Sequence, residues 1–167
     1  MFTTATVRGP LHCRCKLIIL LSHLADSLSR KRGKDYRSPM SETQPTDLTI
    51  LVVEDYEDTS LAMRLALEDR GYRILEASDG AAAVETAERE RPDIILMDLN
   101  LPVMDGLEAT KRIRSNEGMK ETVIVAVTAH SDHDYRARAL AAGCNAFVTK
   151  PLDFEWLNDL LTNLLPK

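Results

Sequence analysis

From Thr49 onward, short apolar runs alternate with stretches in which apolar residues recur every three or four positions. The runs Thr49–Val53, Tyr72–Ala77, Asp93–Met97, Thr122–Val127 and Asn145–Thr149 are rich in β-branched and aromatic residues and read as strands. Each is followed by a segment of helix length, so the pattern predicts a fivefold βα repeat. The middle runs, Ile94-Ile95-Leu96-Met97 and Val123-Ile124-Val125-Ala126-Val127, are apolar without interruption. Strands covered on both faces of a parallel sheet require that pattern, which predicts helices on both sides. The last helix carries Leu157, Leu160, Leu161, Leu164 and Leu165 at i, i+3, i+4, i+7 and i+8, a one-sided core stripe. Gly71 and Gly143 stand where the first and fourth helices should stop, Pro92 closes the second, and Pro102 falls in the loop after the third strand.

Residues 1–48 show no sustained period, and Ser38-Pro39 with Ser41-Glu42-Thr43-Gln44-Pro45 reads as a linker. This divides the 167 residues into an N-terminal basic extension over residues 1–46 and one α/β domain over residues 47–167. Charge sharpens the division. Residues 1–40 hold eight Lys/Arg against two acids, and residues 41–167 hold thirteen against twenty-four, which is +6 against −11. The extension is either a basic anchoring tail or the product of an over-called start codon ahead of Met40. An acidic body disfavours direct nucleic-acid binding, because neutralising phosphates needs a basic face. Cys13, Cys15 and Cys144 form neither a disulfide framework nor a four-ligand zinc site, so a reducing, cytoplasmic setting is expected. The apolar run Leu17–Leu21 is far short of the roughly 20 residues that span a bilayer, and no membrane span is expected.

In a doubly wound sheet, reactive groups gather at the carboxyl ends of the strands. Here Glu54-Asp55 follow the first strand, Asp98 the third, Thr128 the fourth and Lys150 the fifth. Three carboxylates in one pocket repel one another unless a cation neutralises them, and Mg²⁺ (or Mn²⁺) is the natural partner for an all-oxygen site. Any one of these acids could instead cap the next helix. The set of an acidic pair, a lone Asp, a hydroxyl and a lysine on four loops is not what capping produces.

The motifs Leu51-Val52-Val53-Glu54-Asp55, Ile95-Leu96-Met97-Asp98-Leu99-Asn100-Leu101-Pro102-Val103-Met104-Asp105-Gly106, Val127-Thr128-Ala129 and Lys150-Pro151 resemble those of the bacterial response-regulator receiver family over roughly residues 47–166. The separations of 43 residues from Asp55 to Asp98, 30 to Thr128 and 22 to Lys150 follow that family's order. The resemblance implies a flavodoxin-like (βα)5 fold with strand order 2-1-3-4-5, the first and fifth helices on one face and the other three on the opposite one. It implies that Asp98 is the phosphoacceptor. By the same resemblance Asp55, Asp98 and the backbone carbonyl of Asn100 ligate the metal directly and Glu54 acts through water, while Thr128, Lys150 and the Ala129 backbone N–H hold the phosphoryl group. Thr128 and Phe147 would form the switch, and the bond to Pro151 would be cis. Position 54 is Glu where the family often has Asp, and Phe147 has no hydroxyl; Phe147 can also be read as a plain core residue of a strand.

The expected function is that of a single-domain response regulator. It takes a phosphoryl group from a sensor histidine kinase or histidine phosphotransfer protein and signals to a separate downstream protein; a shuttle in a multistep phosphorelay is the alternative. On this reading the chain catalyses only its own phosphorylation and dephosphorylation and is no enzyme for other substrates. A phosphatase of the haloacid-dehalogenase type would carry Asp-x-Asp after its first strand, which is absent, and a pseudo-receiver would not need Asp98, Thr128 and Lys150 together. The output is expected on the surface of the fourth helix, fifth strand and fifth helix, with Tyr135, Arg136 and Arg138 in contact with the partner.

Overall fold

The structure is a computed structural model that describes residues 48–130 and 133–165. The expected extension over residues 1–46 lies outside the described residues. The elements are β1 (Thr49–Val53), α1 (Glu57–Glu68), β2 (Arg73–Ala77), α2 (Gly80–Glu90), β3 (Ile94–Asp98), α3 (Gly106–Ser115), a 3-10 turn (Glu117–Met119), β4 (Val123–Thr128), α4 (His133–Ala142), β5 (Ala146–Thr149) and α5 (Phe154–Leu164). The five strands form one parallel sheet in the order β2-β1-β3-β4-β5, as the resemblance implied.

Alternate residues of the central strands feed opposite faces. Leu51, Val53, Ile95, Met97, Ile124 and Ala126 pack with Ala83 and Ala87 of α2, Ala109 and Ile113 of α3, and Ala139 and Ala142 of α4. Ile50, Val52, Ile94, Leu96, Val123 and Val125 pack with Met63 and Leu67 of α1 and Leu157 and Leu161 of α5. Leu157 and Leu161 are fully buried, each contributing about 1.5–3 kcal/mol by removal of apolar surface from water. Leu160 and Leu164 lie on the margin of that core, and Leu165 is the cap after the helix and not part of it.

Four strands begin one residue later than the hydrophobic pattern predicts. In each case the residue concerned uses its side chain for another task. Tyr72 turns its hydroxyl to Asn158 Oδ1 at 3.0 Å, and Asp93 Oδ2 accepts from the Thr49 N–H at 2.8 Å. Thr122 donates to the Pro92 carbonyl at 3.1 Å, and Asn145 Oδ1 accepts from the Ile124 N–H at 2.8 Å. β3 and β4 run one residue further than expected, so that Asp98 and Thr128 are the last residues of their strands.

The helix stops are more varied than glycine alone. Gly143, at φ 109°, ends α4 directly, whereas α1 ends at Glu68 and Gly71, at φ 89°, turns the chain two residues beyond the Asp69 cap. At the end of α2 it is Arg91 that takes the left-handed conformation, at φ 48°. Pro92 disfavours the right-handed helical region for the residue before it, so the helix cannot continue.

Candidate functional site

Strand register decides what meets at the carboxyl edge of the sheet. Val53 lies beside Met97, so Glu54 emerges next to Asp98. Asp98 lies beside Val127, and Thr128 beside Thr149, so Thr128 and Lys150 emerge on the adjacent strands. The backbone continues the ladder past the strand ends: the Glu54 N–H donates to the Ala77 carbonyl at 3.0 Å and the Lys150 N–H to the Thr128 carbonyl at 2.8 Å.

The loop acids divide into two groups. Asp79 Oδ1 accepts from the N–H groups of Ala81 and Ala82, Asp105 Oδ1 from Glu108, and Asp153 Oδ1 from Glu155 and Trp156, so these three cap α2, α3 and α5. Glu54, Asp55 and Asp98 cap nothing. α1 begins at Tyr56 with no side-chain cap. One carboxylate oxygen from each of Glu54, Asp55 and Asp98 lies within 4.8 Å of the others, the one such group of acids, histidines or cysteines among the described residues. His133 and Asp134, at the start of α4, take no part in it.

Glu54 and Asp98 are buried and Asp55 is exposed. Lys150 Nζ donates to Glu54 Oε2 and to Asp98 Oδ2, each at 2.5 Å. The Asn100 N–H donates to Asp98 Oδ1 at 2.9 Å. Both oxygens of Asp98 are therefore oriented by the protein, one by a charge and one by a backbone dipole. Burial, joined by the charges of Asp98 and Asp55, pushes the Glu54 carboxyl above its usual range against the bond and charge of Lys150. For Lys150, burial pulls the ammonium down, but its hydrogen bonds to Asp98 and Glu54 and the charges of those carboxylates together outweigh that and leave it raised. The lysine is thus firmly cationic inside an acidic pocket.

Thr128 is fully buried, and its Oγ1 accepts from the His130 N–H at 3.2 Å, with exposed Ala129 between them. Phe147 is half-buried and packs on the α2–α3–α4 side of the core, and the Lys150–Pro151 bond is cis. Two site features escaped the sequence reading. A Cβ on Gly106 would collide with the Asp98 carbonyl oxygen, so glycine is what lets α3 start against the back of the acceptor. The second is the His130 N–H, for which nothing in the sequence gave a signal. The Asp105-Gly106 pair was visible, and its cap and close approach could have been argued from it.

An all-oxygen set within 4.8 Å, with one exposed arm and no soft donor, suits a small hard dication such as Mg²⁺. The donor chemistry fits; Lys150 already neutralises part of the charge of the two buried acids.

The chain matches the response regulator receiver domain over residues 50–162. It is 34% identical over 104 residues to the polar-differentiation response regulator DivK of Brucella anthropi, covering 62% of this chain and 85% of DivK. It is 39% identical over 127 residues to hybrid signal transduction histidine kinase G of Dictyostelium discoideum, covering 74% of this chain but only 4% of that kinase's length. Among solved structures it is similar to the chemotaxis protein CheY4 of Vibrio cholerae, with TM-score 0.67, 30% identity, and coverage of 71% and 98% of the two chains. It also resembles the receiver domain of a Pseudomonas aeruginosa sensor histidine kinase, whose structure has a magnesium ion coordinated in the active-site cleft. There the TM-score is 0.66 and the identity 38%, with 70% and 96% covered. With the sheet order, the strand-edge acids and these likenesses in agreement, the chain belongs to the response regulator receiver domain family.

Proposed function

We propose that Asp98 accepts a phosphoryl group from a phosphohistidine of a sensor kinase or histidine phosphotransfer protein in a Mg²⁺-dependent reaction, and that the phosphorylated chain signals by binding a separate protein. The observation that carries this reading is the state of Asp98: buried, with both oxygens held, and within 4.8 Å of two further carboxylates. A carboxylate so placed is oriented as a nucleophile and has cation sites around it. An Asp98 oxygen forms the new P–O bond while the P–N bond of the donor breaks, and the departing imidazole nitrogen takes the electron pair and then a proton. Glu54, Asp55, Asp98 and the Asn100 carbonyl would hold Mg²⁺, which would neutralise the phosphoryl oxygens when bound. Lys150, once released from one of its carboxylates, reaches the same oxygens, and Thr128 and the Ala129 N–H complete their cover.

The chain acts on its own Asp98 and turns over no separate substrate, so each molecule takes up one phosphoryl group. Alignment over 85% of DivK's length supports a regulator of that kind. Passage of the group onward in a phosphorelay would need the same pocket. Asp98→Asn, which nearly preserves volume and removes the nucleophile, should abolish acid-stable, base-labile labelling by a phosphorylated kinase or by acetyl phosphate. Equal labelling of variant and parent would overturn the assignment.

A further inference from the structure

Charge is unevenly spread over the domain. α3 and α4 together hold five Lys/Arg against two acids, whereas the rest of residues 41–167 holds eight against twenty-two, which is +3 against −14. Between these two helices runs a groove of about 260 Å³. Leu107 and Ala142 are buried beneath it, and the small side chain of Ala141 leaves it open. Exposed Lys111 of α3 and Arg138 of α4 line its sides. The two acids that line it have partners of their own: Asp105 Oδ1 accepts from the Glu108 N–H at 2.8 Å, and Glu108 Oε1 from Arg112 Nε at 3.2 Å. Lys111 makes no hydrogen bond or ion pair among the described residues. Arg138 has a fixed place but no acid partner there, because its guanidinium lies 5.3 Å from the centroid of the Tyr135 ring in a cation–π contact.

We propose that this groove docks a short acidic segment of a partner protein, with one aliphatic side chain entering above Leu107 and Ala142 while flanking carboxylates pair with Lys111 and Arg138. The volume lies just below the roughly 300–1,000 Å³ that encloses a whole small-molecule ligand, and it matches a protruding side chain. Two cations without acid partners, set beside an apolar floor, pair more strongly with a carboxylate than an open surface does, because the docked chain shuts water out. A long polyanion is disfavoured: the −14 carried by the remainder of the domain repels it beyond the groove, whereas a short segment meets only the basic island. Arg138 was expected among contacts beside β5 and α5, but it faces the groove on the α3 side of α4, which is a different surface. None of the lining residues belongs to the Glu54–Asp55–Asp98 cluster, and the groove is formed with Asp98 unmodified, so docking does not wait on phosphoryl transfer.

Fluorescence anisotropy of the full chain with a fluorescein-labelled peptide, Glu-Glu-Leu-Leu-Glu-Glu, tests this directly. Lys111→Glu and Arg138→Glu should each weaken binding by about tenfold or more. Ala141→Leu, which fills the groove at unchanged charge, should weaken it to a similar degree. Lys120→Glu makes the same charge change at an exposed cation outside the groove and should alter affinity by less than about twofold. All four positions are exposed, so each variant is expected to fold. Amide shifts of the parent with unlabelled peptide should move at residues 107–111 and 138–142. Absence of binding would overturn the proposal. So would an affinity that both groove reversals left unchanged, or that Lys120→Glu lowered equally, since the peptide would then be held elsewhere, as on the basic residues 1–40. Tighter binding of a thymidine oligonucleotide than of the peptide, lost in the same groove variants, would assign the basic island to single-stranded nucleic acid and overturn the peptide reading.

Discussion

Lys150 is bound at both ends of its work in this structure, since the same ammonium holds Glu54 and Asp98. Removing it as Lys150→Ala takes one positive charge from the pocket without touching an oxygen ligand. Mg²⁺ affinity, measured by calorimetric titration, should therefore be retained or increased, while affinity for beryllofluoride should fall by tenfold or more. A variant that lost Mg²⁺ and kept the phosphate mimic would contradict the division of labour. Gly106 makes a second case at this scale. Its missing Cβ is occupied by the Asp98 carbonyl oxygen, and backbone cannot swing aside as a side chain can. Gly106→Ala should lower stability by about 1–3 kcal/mol, read from urea unfolding, and should impair labelling of Asp98 even where the chain is folded. An alanine variant with parental stability and labelling would show that α3 can retreat at no cost.

At the scale of elements, the helices are set on the sheet by caps and by one half-buried cation. Asp153 accepts from two N–H groups at the start of α5, and that start follows directly on Lys150-Pro151-Leu152. Asp153→Ala should cost about 1 kcal/mol and fray the first turn of α5, seen as faster amide exchange at residues 154–157. Unchanged exchange there would mean that packing alone holds the turn. Arg114 plays a similar part between elements. It donates to the Gly143 carbonyl, the Met119 carbonyl and Asn145 Oδ1, tying the end of α3 to the α4–β5 corner. Burial pulls its guanidinium down, and neutral oxygens are its partners in these bonds. A close approach of Arg114 Cγ, 2.8 Å from where a Gly143 Cβ would stand, explains why that corner also needs a glycine.

For the molecule as a whole, Cys144, Tyr72 and Lys150 act in one direction as pH rises above 9. Burial raises the Cys144 thiol above 9.0 more than Thr110 and Arg114 lower it. Burial likewise raises Tyr72 above 10.0, and the carboxylate bonds raise Lys150 above 10.5 despite its burial. Each keeps its proton in the folded chain at a pH where the unfolded chain has released it. The folded state then binds more protons, so these groups favour folding fully below the unfolded values, and that advantage is lost as pH rises through the folded ones. Thermal melts should show Tm falling from about pH 9 upward, with the fall in Cys144→Ala starting nearer pH 10. A flat profile to pH 11 would contradict this. No helix among the described residues is long and apolar enough to cross a membrane.

The sequence by itself determined the layout, because burial on both faces leaves strands no choice but continuous apolar runs, and helices on one face no choice but a stripe. It also determined which loops carry Glu54, Asp55, Asp98, Thr128 and Lys150, since the reactive edge of a parallel sheet is fixed by chain direction. Strand ends were legible only to within one residue. Tyr72, Asp93, Thr122 and Asn145 have strand-like or neutral surroundings in sequence, but their partners lie 21 to 86 residues away. The same physical reason limits the site. Asp79, Asp105 and Asp153 are chemically alike to Asp98, and only the register that puts Asp98 beside Glu54 separates the caps from the cluster. Lys150 reaches Glu54 across 96 residues. Local sequence records what a side chain is, whereas hydrogen-bond partners distant in the chain are chosen by packing, which exists only in three dimensions.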